Sequence, residues 1–248
     1  MRKADELDTG KRRLLVSTAT AGLVLAAPAL IDLRGSAAAQ EAQKSGSGKG
    51  DDKEQEGEVT PPEDLMREHG VLDRILLIYD AGLRKFADGQ DFDPAVLTEG
   101  AKIIREFIED YHENSEEDQV FPRFKRAGKL VTLVDTLLAQ HQAGRRVTDV
   151  VLHYAPTSAR NEDDRHRTVG AIEQFIRMYR PHAAREDTEL FPKLRGLMSE
   201  HEYDAMAELF EDKEHQLFGD DGFEMMVDRV AGLERRIGIN DLSQFTPK

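Results

Sequence analysis

Apolar side chains recur at alternating steps of four and three residues along four long stretches of the chain, the spacing of one buried face of an α-helix. In the first stretch, Leu65, Leu72 and Leu76 share such a face. No stretch shows the strict alternation expected of a half-buried β-strand. Turn and breaker residues bound the four predicted helices: Thr60 and Gly89, Asp93 and Pro122, Leu130 and Pro156, and a start between Ala159 and Arg167 for the last.

Two shorter helices are predicted after these, near Glu200 to Leu217 and Gly222 to Ile237. At the start of the first helix, Thr60 is expected to cap the backbone, and Pro61 occupies a position whose N–H has no helical partner. The whole pattern predicts an all-α fold, an up-down-up-down four-helix bundle with short C-terminal helices.

Each long helix carries one histidine within its apolar face. His112 opens HENSEEDQVFP and His182 opens HAAREDTELFP, so both have a glutamate four residues later and a Phe-Pro pair beyond it. Four residues of helix rise about 6 Å and return to nearly the same face, so each His-x3-Glu pair points a nitrogen and a carboxylate the same way. His69 and His141 precede these motifs by 43 and 41 residues, which indicates two similar helical hairpins.

The repeat predicts a metal site inside the bundle. A lone buried histidine is more often a hydrogen-bonded core residue, and a lone His-x3-Glu is often a surface pair. Burying four imidazoles and two carboxylates together without a cation, however, is strongly unfavourable. Such ligands suit a pair of non-haem irons with open positions, and zinc or manganese also binds them. The predicted ligands are His69, His112, Glu116, His141, His182 and Glu186.

Proline and phenylalanine complete the two motifs. Pro122 and Pro192 are each expected to end a helix, while the preceding Phe121 and Phe191 pack beneath the site. Pro181 is expected to kink the fourth helix just before its histidine.

These residues resemble the haemerythrin-like, or HHE cation-binding, domain family over roughly Pro61 to Leu217, and within it the subgroup with four histidines and two glutamates. The resemblance implies a four-helix bundle holding two iron ions with an oxo or hydroxo bridge. It assigns one iron to the first and second histidines and the other iron to the third and fourth. Both glutamates would bridge the irons. In chain order the six implied ligands are His69, His112, Glu116, His141, His182 and Glu186.

The sequence departs from the family's oxygen carriers, which have His-x3-His on the third helix. Arg145 stands in place of that second histidine, which argues against a five-histidine site. Asp187 lies five residues after His182, where the carriers have an aspartate, and is a candidate to replace or assist Glu186. The repair proteins of iron centres commonly add a cysteine-bearing N-terminal segment, which this chain lacks, so cytoplasmic iron–sulfur repair is disfavoured.

Composition narrows the chemistry further. The chain has no cysteine, which excludes disulfides, iron–sulfur ligation, zinc–thiolate sites and cysteine nucleophiles. Its formal net charge of −14, without a cluster of basic residues, argues against nucleic acid as a partner.

The N-terminal region has the pattern of an export signal followed by a disordered linker. Arg12-Arg13, an apolar run to about Ile31 and a small-residue site at Ala37-Ala38-Ala39 predict a twin-arginine-like export signal over residues 1–39. An uncleaved membrane anchor is the alternative. Residues 40–59 predict a disordered linker, 60–218 the haemerythrin-like domain, and 219–248 a C-terminal helix and tail. The protein is expected to be periplasmic or otherwise exported.

Other polar residues are assigned lesser roles. His153, His166 and His201 are expected in solvent, and His215 on the surface, although it is also a candidate to cover the mouth of the site. Tyr79 and Tyr179 are expected to pack, with a hydrogen bond to a ligand or bridge as the alternative. Candidate proton donors are Glu113, Glu117 and Tyr179.

Three functions remain open on the sequence. The first is a di-iron protein that binds O2, nitric oxide or peroxide for sensing, storage or scavenging. The second is a di-iron oxidoreductase that turns over peroxide or nitric oxide with an unknown electron donor. The third is an iron-holding or iron-donating protein with an acidic surface.

Overall fold

The computed structural model describes residues 59–247. The predicted export signal and nearly all of the predicted linker lie outside this part. Within it, the chain is predominantly helical and contains no strand, which confirms the all-α bundle. Among these residues, no helix combines the length and the apolar content needed to span a bilayer.

Eight α-helices follow one another along the described residues: α1 (Pro61–Ala87), α2 (Ala95–Ile103), α3 (Phe121–Ala127), α4 (Val131–Tyr154), α5 (Glu162–Arg185), α6 (Phe191–Leu194), α7 (Glu200–Phe218) and α8 (Gly222–Ile237). Three π-helical segments join some of them: Ile104–Glu113, Glu116–Val120 and Glu186–Leu190. Short 3-10 turns lie at Ala155–Thr157, Arg195–Leu197 and Leu242–Phe245. Four long rods result, formed by α1, by α2 through α3, by α4 and by α5 through α6.

The prediction that Pro122 and Pro192 end their helices is wrong. Each lies at the second position of a short α-helix, α3 or α6, that directly continues a π-helical segment. A proline lacks the N–H that an α-helix needs and crowds the carbonyl four residues earlier, and the wider π turn removes this conflict. The helices therefore pass through the Phe-Pro pairs. Pro181 likewise lies inside α5.

The four long rods pack around one interior. α1 contacts α2 and α5, α4 contacts the same two helices, α8 lies against α1 and α2, and α7 contacts α1 and α8. The interior contains two apolar clusters. One contains Leu72, Ile75 and Phe107, and the other Leu65 and Phe121. Each rod contributes to both clusters, and the predicted metal ligands lie along the rods between these contributions.

The start of α7 offers a direct test of local stability. The Ser199 side chain accepts from the backbone N–H of Glu202, and the Glu202 carboxylate accepts from the backbone N–H of Ser199. We expect Ser199→Ala to lower the free energy of unfolding by about 1 kcal/mol in urea denaturation. Thr60 holds the equivalent position before α1 but makes no capping side-chain hydrogen bond, contrary to expectation. Thr60→Ala should therefore cost clearly less, and an equal loss would contradict the capping argument.

Candidate metal centre

The six residues predicted from the sequence lie together in a polar layer between the two apolar clusters. On α1, His69 lies between Leu65 of one cluster and Leu72 of the other. All six side chains are buried, and none of the residues is more than 3% exposed. The helical repeat thus brings one histidine from each rod, and two glutamates, into the same interior layer.

The four imidazoles form two pairs. The ring centroids of His69 and His112 are 4.7 Å apart, and those of His141 and His182 are 4.9 Å apart. The Nε2 atoms of His141 and His182 approach to 3.2 Å. Each pair comes from a single hairpin, which is the pairing that the sequence resemblance implies.

Each glutamate faces one histidine from each pair. The separations between the Oε2 and Nε2 atoms are 3.6 Å for Glu116 and His112, 3.4 Å for Glu116 and His141, 3.5 Å for Glu186 and His69, and 3.0 Å for Glu186 and His182. A carboxylate so placed spans the space between the two pairs. Each carboxylate therefore lies close to imidazoles of both pairs.

Five polar atoms of this layer are buried without a hydrogen bond among the described residues. They are both carboxylate oxygens of Glu116 and Glu186, and Nε2 of His112. Buried polar atoms nearly always have a partner, and an unpaired buried carboxylate is especially unfavourable. Cations among the Nε2 atoms and carboxylates would satisfy them all, so the residues fit a metal.

The ionisation of the layer also suits a cation. Burial and the neighbouring Glu186 carboxylate raise the pKa of Glu116 well above its usual range, so the two carboxylates resist carrying charge together. Burial and the surrounding imidazoles lower the pKa of His112 well below its usual value. Burial likewise lowers the pKa of His141. The neutral imidazoles of His112 and His141 keep a lone pair on Nε2 for a metal.

The Nδ1 atoms of the second and fourth histidines each contact a residue of the same hairpin. Nδ1 of His112 lies 2.7 Å from Oε2 of Glu68. Nδ1 of His182 lies 2.9 Å from Oε1 of Gln140. An oxygen acceptor on Nδ1 fixes the proton there and leaves Nε2 to face the interior, as in most histidine metal sites.

The Nδ1 atoms of the first and third histidines each contact a residue of the other hairpin. Nδ1 of His141 lies 3.0 Å from Oε1 of Glu117, and Nδ1 of His69 lies 2.8 Å from Oδ1 of Asp187. Asp187 therefore contacts the outer edge of a histidine and does not take the place of Glu186. It assists the layer by orienting His69.

Sequence reasoning did not assign Glu68 or Gln140 to the site, and it considered Glu117 only as a proton donor. A regularity in the sequence was nevertheless present. Glu68 and Gln140 each directly precede a predicted ligand histidine, and Glu117 and Asp187 each directly follow a predicted bridging glutamate. The internal repeat thus extends to the residue before the first histidine and the residue after the glutamate of each hairpin.

Two phenylalanines pack against histidines of the layer, as expected from the Phe-Pro pairs. Phe191 stacks on His69 with centroids 5.6 Å apart and an interplanar angle of 26°. Phe121 stacks on His141 at 5.4 Å and 25°. Each ring therefore packs on the first histidine of the opposite hairpin, which limits rotation of the imidazole.

Tyr179 and Arg145 build a polar network beside the layer. The Tyr179 hydroxyl donates to Oε1 of Glu113, and the Arg145 guanidinium lies 2.9 Å from Glu113 and 2.8 Å from Glu117. The expected alternative of a hydrogen bond from Tyr179 to a ligand or bridge is not what this geometry shows. Burial raises the pKa of Glu113 to about 8, although the Tyr179 hydrogen bond and Arg145 act against this.

The remaining residues singled out from the sequence lie elsewhere. His153, His166 and His201 are exposed. His215 is also a surface residue, with a side chain 63% exposed, and pairs with Asp220. Tyr79 packs edge-on against Phe175 in the larger apolar cluster.

Comparisons with known proteins show the family of the chain. The family model described as the hemerythrin HHE cation binding domain matches residues 60–194. Uncharacterized proteins of Mycobacterium tuberculosis and Mycobacterium bovis are 48% identical over 250 residues, which covers all of this chain and 94% of each relative. No solved structure matches the chain. With its histidines and glutamates gathered in one buried layer, the chain belongs to the hemerythrin HHE cation-binding family.

Proposed function

We propose that the protein is an exported non-haem di-iron protein that binds O2, nitric oxide or peroxide for sensing, storage or scavenging. One observation carries the proposal: each of two buried carboxylates faces one histidine from each of two pairs, at 3.0 to 3.6 Å. This arrangement suits two neighbouring cations sharing bridging carboxylates.

The protein's own contribution is to hold and shield the pair of cations. His69 and His112 would bind one ion, His141 and His182 the other, and the glutamates both. The four Nδ1 contacts and the two stacked phenylalanines orient the rings. Glu116 and Glu186 are 0% exposed, so the layer excludes bulk water. When bound there, a pair of ferrous ions supplies electrons and open coordination positions for a small ligand.

An arginine takes the position of a fifth histidine beside the layer. Arg145, at the position where the oxygen carriers have a histidine, instead forms ion pairs with Glu113 and Glu117. The site therefore has fewer nitrogen ligands than a five-histidine centre. Since the layer lies between two apolar clusters, it favours a ligand as small as a diatomic molecule or peroxide.

A second function, turnover of peroxide or nitric oxide, is favoured by the Tyr179 and Glu113 network. Glu113 is buried one residue from His112, and its pKa of about 8 allows it to hold a proton at neutral pH. The Tyr179 hydroxyl is hydrogen-bonded to it, and the Tyr179 ring lies 5.3 Å from the ring of His182. Proton transfer by such a pair would serve a reaction that consumes protons.

The protein loaded with ferrous iron distinguishes these functions by its visible absorption. A reversible change with O2 or nitric oxide supports the binding protein, and continuous peroxide loss with an unchanged spectrum supports the oxidoreductase, whose electron donor is unknown. Release of iron to a chelator within minutes supports the iron donor. Metal analysis of native material tests whether zinc or manganese is present instead.

Ligand variants test the metal site itself. His112→Ala or His182→Ala should lower bound metal below a pair of ions per chain and reduce the thermal stability of the loaded protein. His153→Ala, on the exposed end of α4, should retain full metal content. Full occupancy in both ligand variants would remove these histidines from the site.

Export is supported by the sequence of residues 1–39. If the twin-arginine pattern is read by the export machinery, replacing Arg12 and Arg13 together by lysine should retain most of the protein in the cytoplasm. Cell fractionation and immunoblotting measure this, with Arg2→Lys as the matched control. Unchanged export of the double variant would contradict the proposal. Association with the membrane is expected only where the signal stays uncleaved.

A further inference from the structure

The contacts to the Nδ1 atoms of the four histidines follow the internal repeat, except that one carboxylate is replaced by an amide. The residue before the first histidine of each hairpin contacts the second histidine of the same hairpin. In the first hairpin this residue is Glu68, 2.7 Å from His112. In the second it is Gln140, 2.9 Å from His182. Equivalent positions therefore present a carboxylate to one half of the layer and a neutral amide to the other.

A second difference lies in the contacts that cross between hairpins. Glu117 contacts His141 and also forms an ion pair with Arg145 at 2.8 Å. Asp187 contacts His69, and the nearby Asp73 adds a further negative charge on that side. The guanidinium competes with His141 for the Glu117 oxygen. The carboxylate contact to Nδ1 of His141 is thus weaker than the carboxylate contact to Nδ1 of His69.

These differences change the strength of the histidines as ligands. A carboxylate accepting from Nδ1–H makes the imidazole more basic at Nε2 and more attractive to a cation than an amide does. Removing such an outer partner typically lowers metal affinity by about 10–100-fold. Both differences act in the same direction, in favour of His69 and His112.

We propose that the two halves of the centre are inequivalent: the His69 and His112 half binds the first cation and holds it more tightly, and the His141 and His182 half takes the second and exchanges it. This inference rests on the proposed di-metal centre. The residues that set the difference are Glu68 and Gln140, acting as positioning residues on the outer edge of each pair.

Positive charges lie on the favoured side as well, where Arg180 interacts with Asp73. Lys213 donates to the Ser115 hydroxyl at 3.1 Å, and its charge interacts with that of Glu68. Its contact is with a hydroxyl, whereas Arg145 binds the Glu117 carboxylate directly. Exchanging only Glu68 or Gln140 leaves Lys213 and Arg145 in place, so the exchange isolates the effect of carboxylate against amide.

The test is calorimetric titration of the metal-free full chain with Co2+, followed in parallel by the visible absorption of bound Co2+. The wild-type chain should show two binding events whose dissociation constants differ by about 10–100-fold. Gln140→Glu should tighten the weaker event and bring the two together. Glu68→Gln should weaken the tighter event and also bring them together, at lower affinity.

Gln142→Glu makes the same charge change on an exposed residue of α4 and should leave both events unchanged. Two equal events in the wild-type chain, or a wild-type pattern in both Glu68→Gln and Gln140→Glu, would overturn the inequivalence while leaving the di-metal centre intact. Failure of the wild-type chain to bind a pair of Co2+ ions would instead remove the proposed centre.

Discussion

Replacing Glu186 by alanine is expected to remove both cations from the centre, a larger loss than that of any single histidine. Its Oε2 atom lies 3.5 Å from Nε2 of His69 and 3.0 Å from Nε2 of His182, so one carboxylate serves both halves. Removing a residue that contacts only Nδ1 of a ligand histidine typically lowers metal affinity by about 10–100-fold. The loss in affinity for Glu186→Ala should be larger. Metal analysis after dialysis, and the rise in melting temperature on adding metal, measure the effect.

Glu189→Ala is the matched control for this variant. Glu189 belongs to the same π-helical segment, but its side chain is 39% exposed and pairs with Arg185. It should retain full metal content and the full metal-dependent gain in stability. If Glu186→Ala also bound a pair of ions, the carboxylate would not be a bridging ligand.

Gly144→Ala is expected to destabilise the protein by about 2–5 kcal/mol, because a Cβ atom would overlap Tyr179. A Cβ built at Gly144 lies 2.8 Å from two Tyr179 ring carbons and closer still to the hydroxyl oxygen. Tyr179 is 1% exposed, so it cannot move aside without disturbing the core. Its displacement also breaks the hydrogen bond to Glu113. Urea denaturation measures the loss in the free energy of unfolding.

Gly170 provides the comparison for this substitution. It also lies within a helix, α5, but no atom lies within 4 Å of a Cβ built there. Gly170→Ala should therefore raise the free energy of unfolding by up to about 1 kcal/mol through helix propensity alone. Tyr179→Phe combined with Gly144→Ala should recover part of the loss, since the closest contact is to the hydroxyl. Equal stability of Gly144→Ala and the wild-type chain would contradict the packing argument.

Much of the helical architecture followed from the apolar pattern alone. The last long helix starts at Glu162, within the predicted range of Ala159 to Arg167. The two C-terminal helices begin and end within one residue of their predicted bounds. Periodic burial is a local property of the sequence, because a helix of fixed pitch must place every third or fourth residue on one face.

Features that depend on neighbouring helices did not follow from the pattern. The π-helical turns before Pro122 and Pro192 are one case, since the apolar pattern gives no indication of a wider turn that lets a helix pass a proline. The contact between Gly144 and Tyr179 is another, because it joins residues on α4 and α5 that are 35 positions apart in the chain.

By itself the sequence determined the helices and which six polar residues interrupt their apolar faces, because both follow from periodicity and from a repeated His-x3-Glu motif. Only the tertiary structure decided that these six side chains share one layer and that each glutamate faces a histidine from each hairpin. It also decided which oxygen holds each Nδ1 atom. Those relations depend on how far each helix slides and rotates against its neighbours, and side-chain packing across the whole core sets that register.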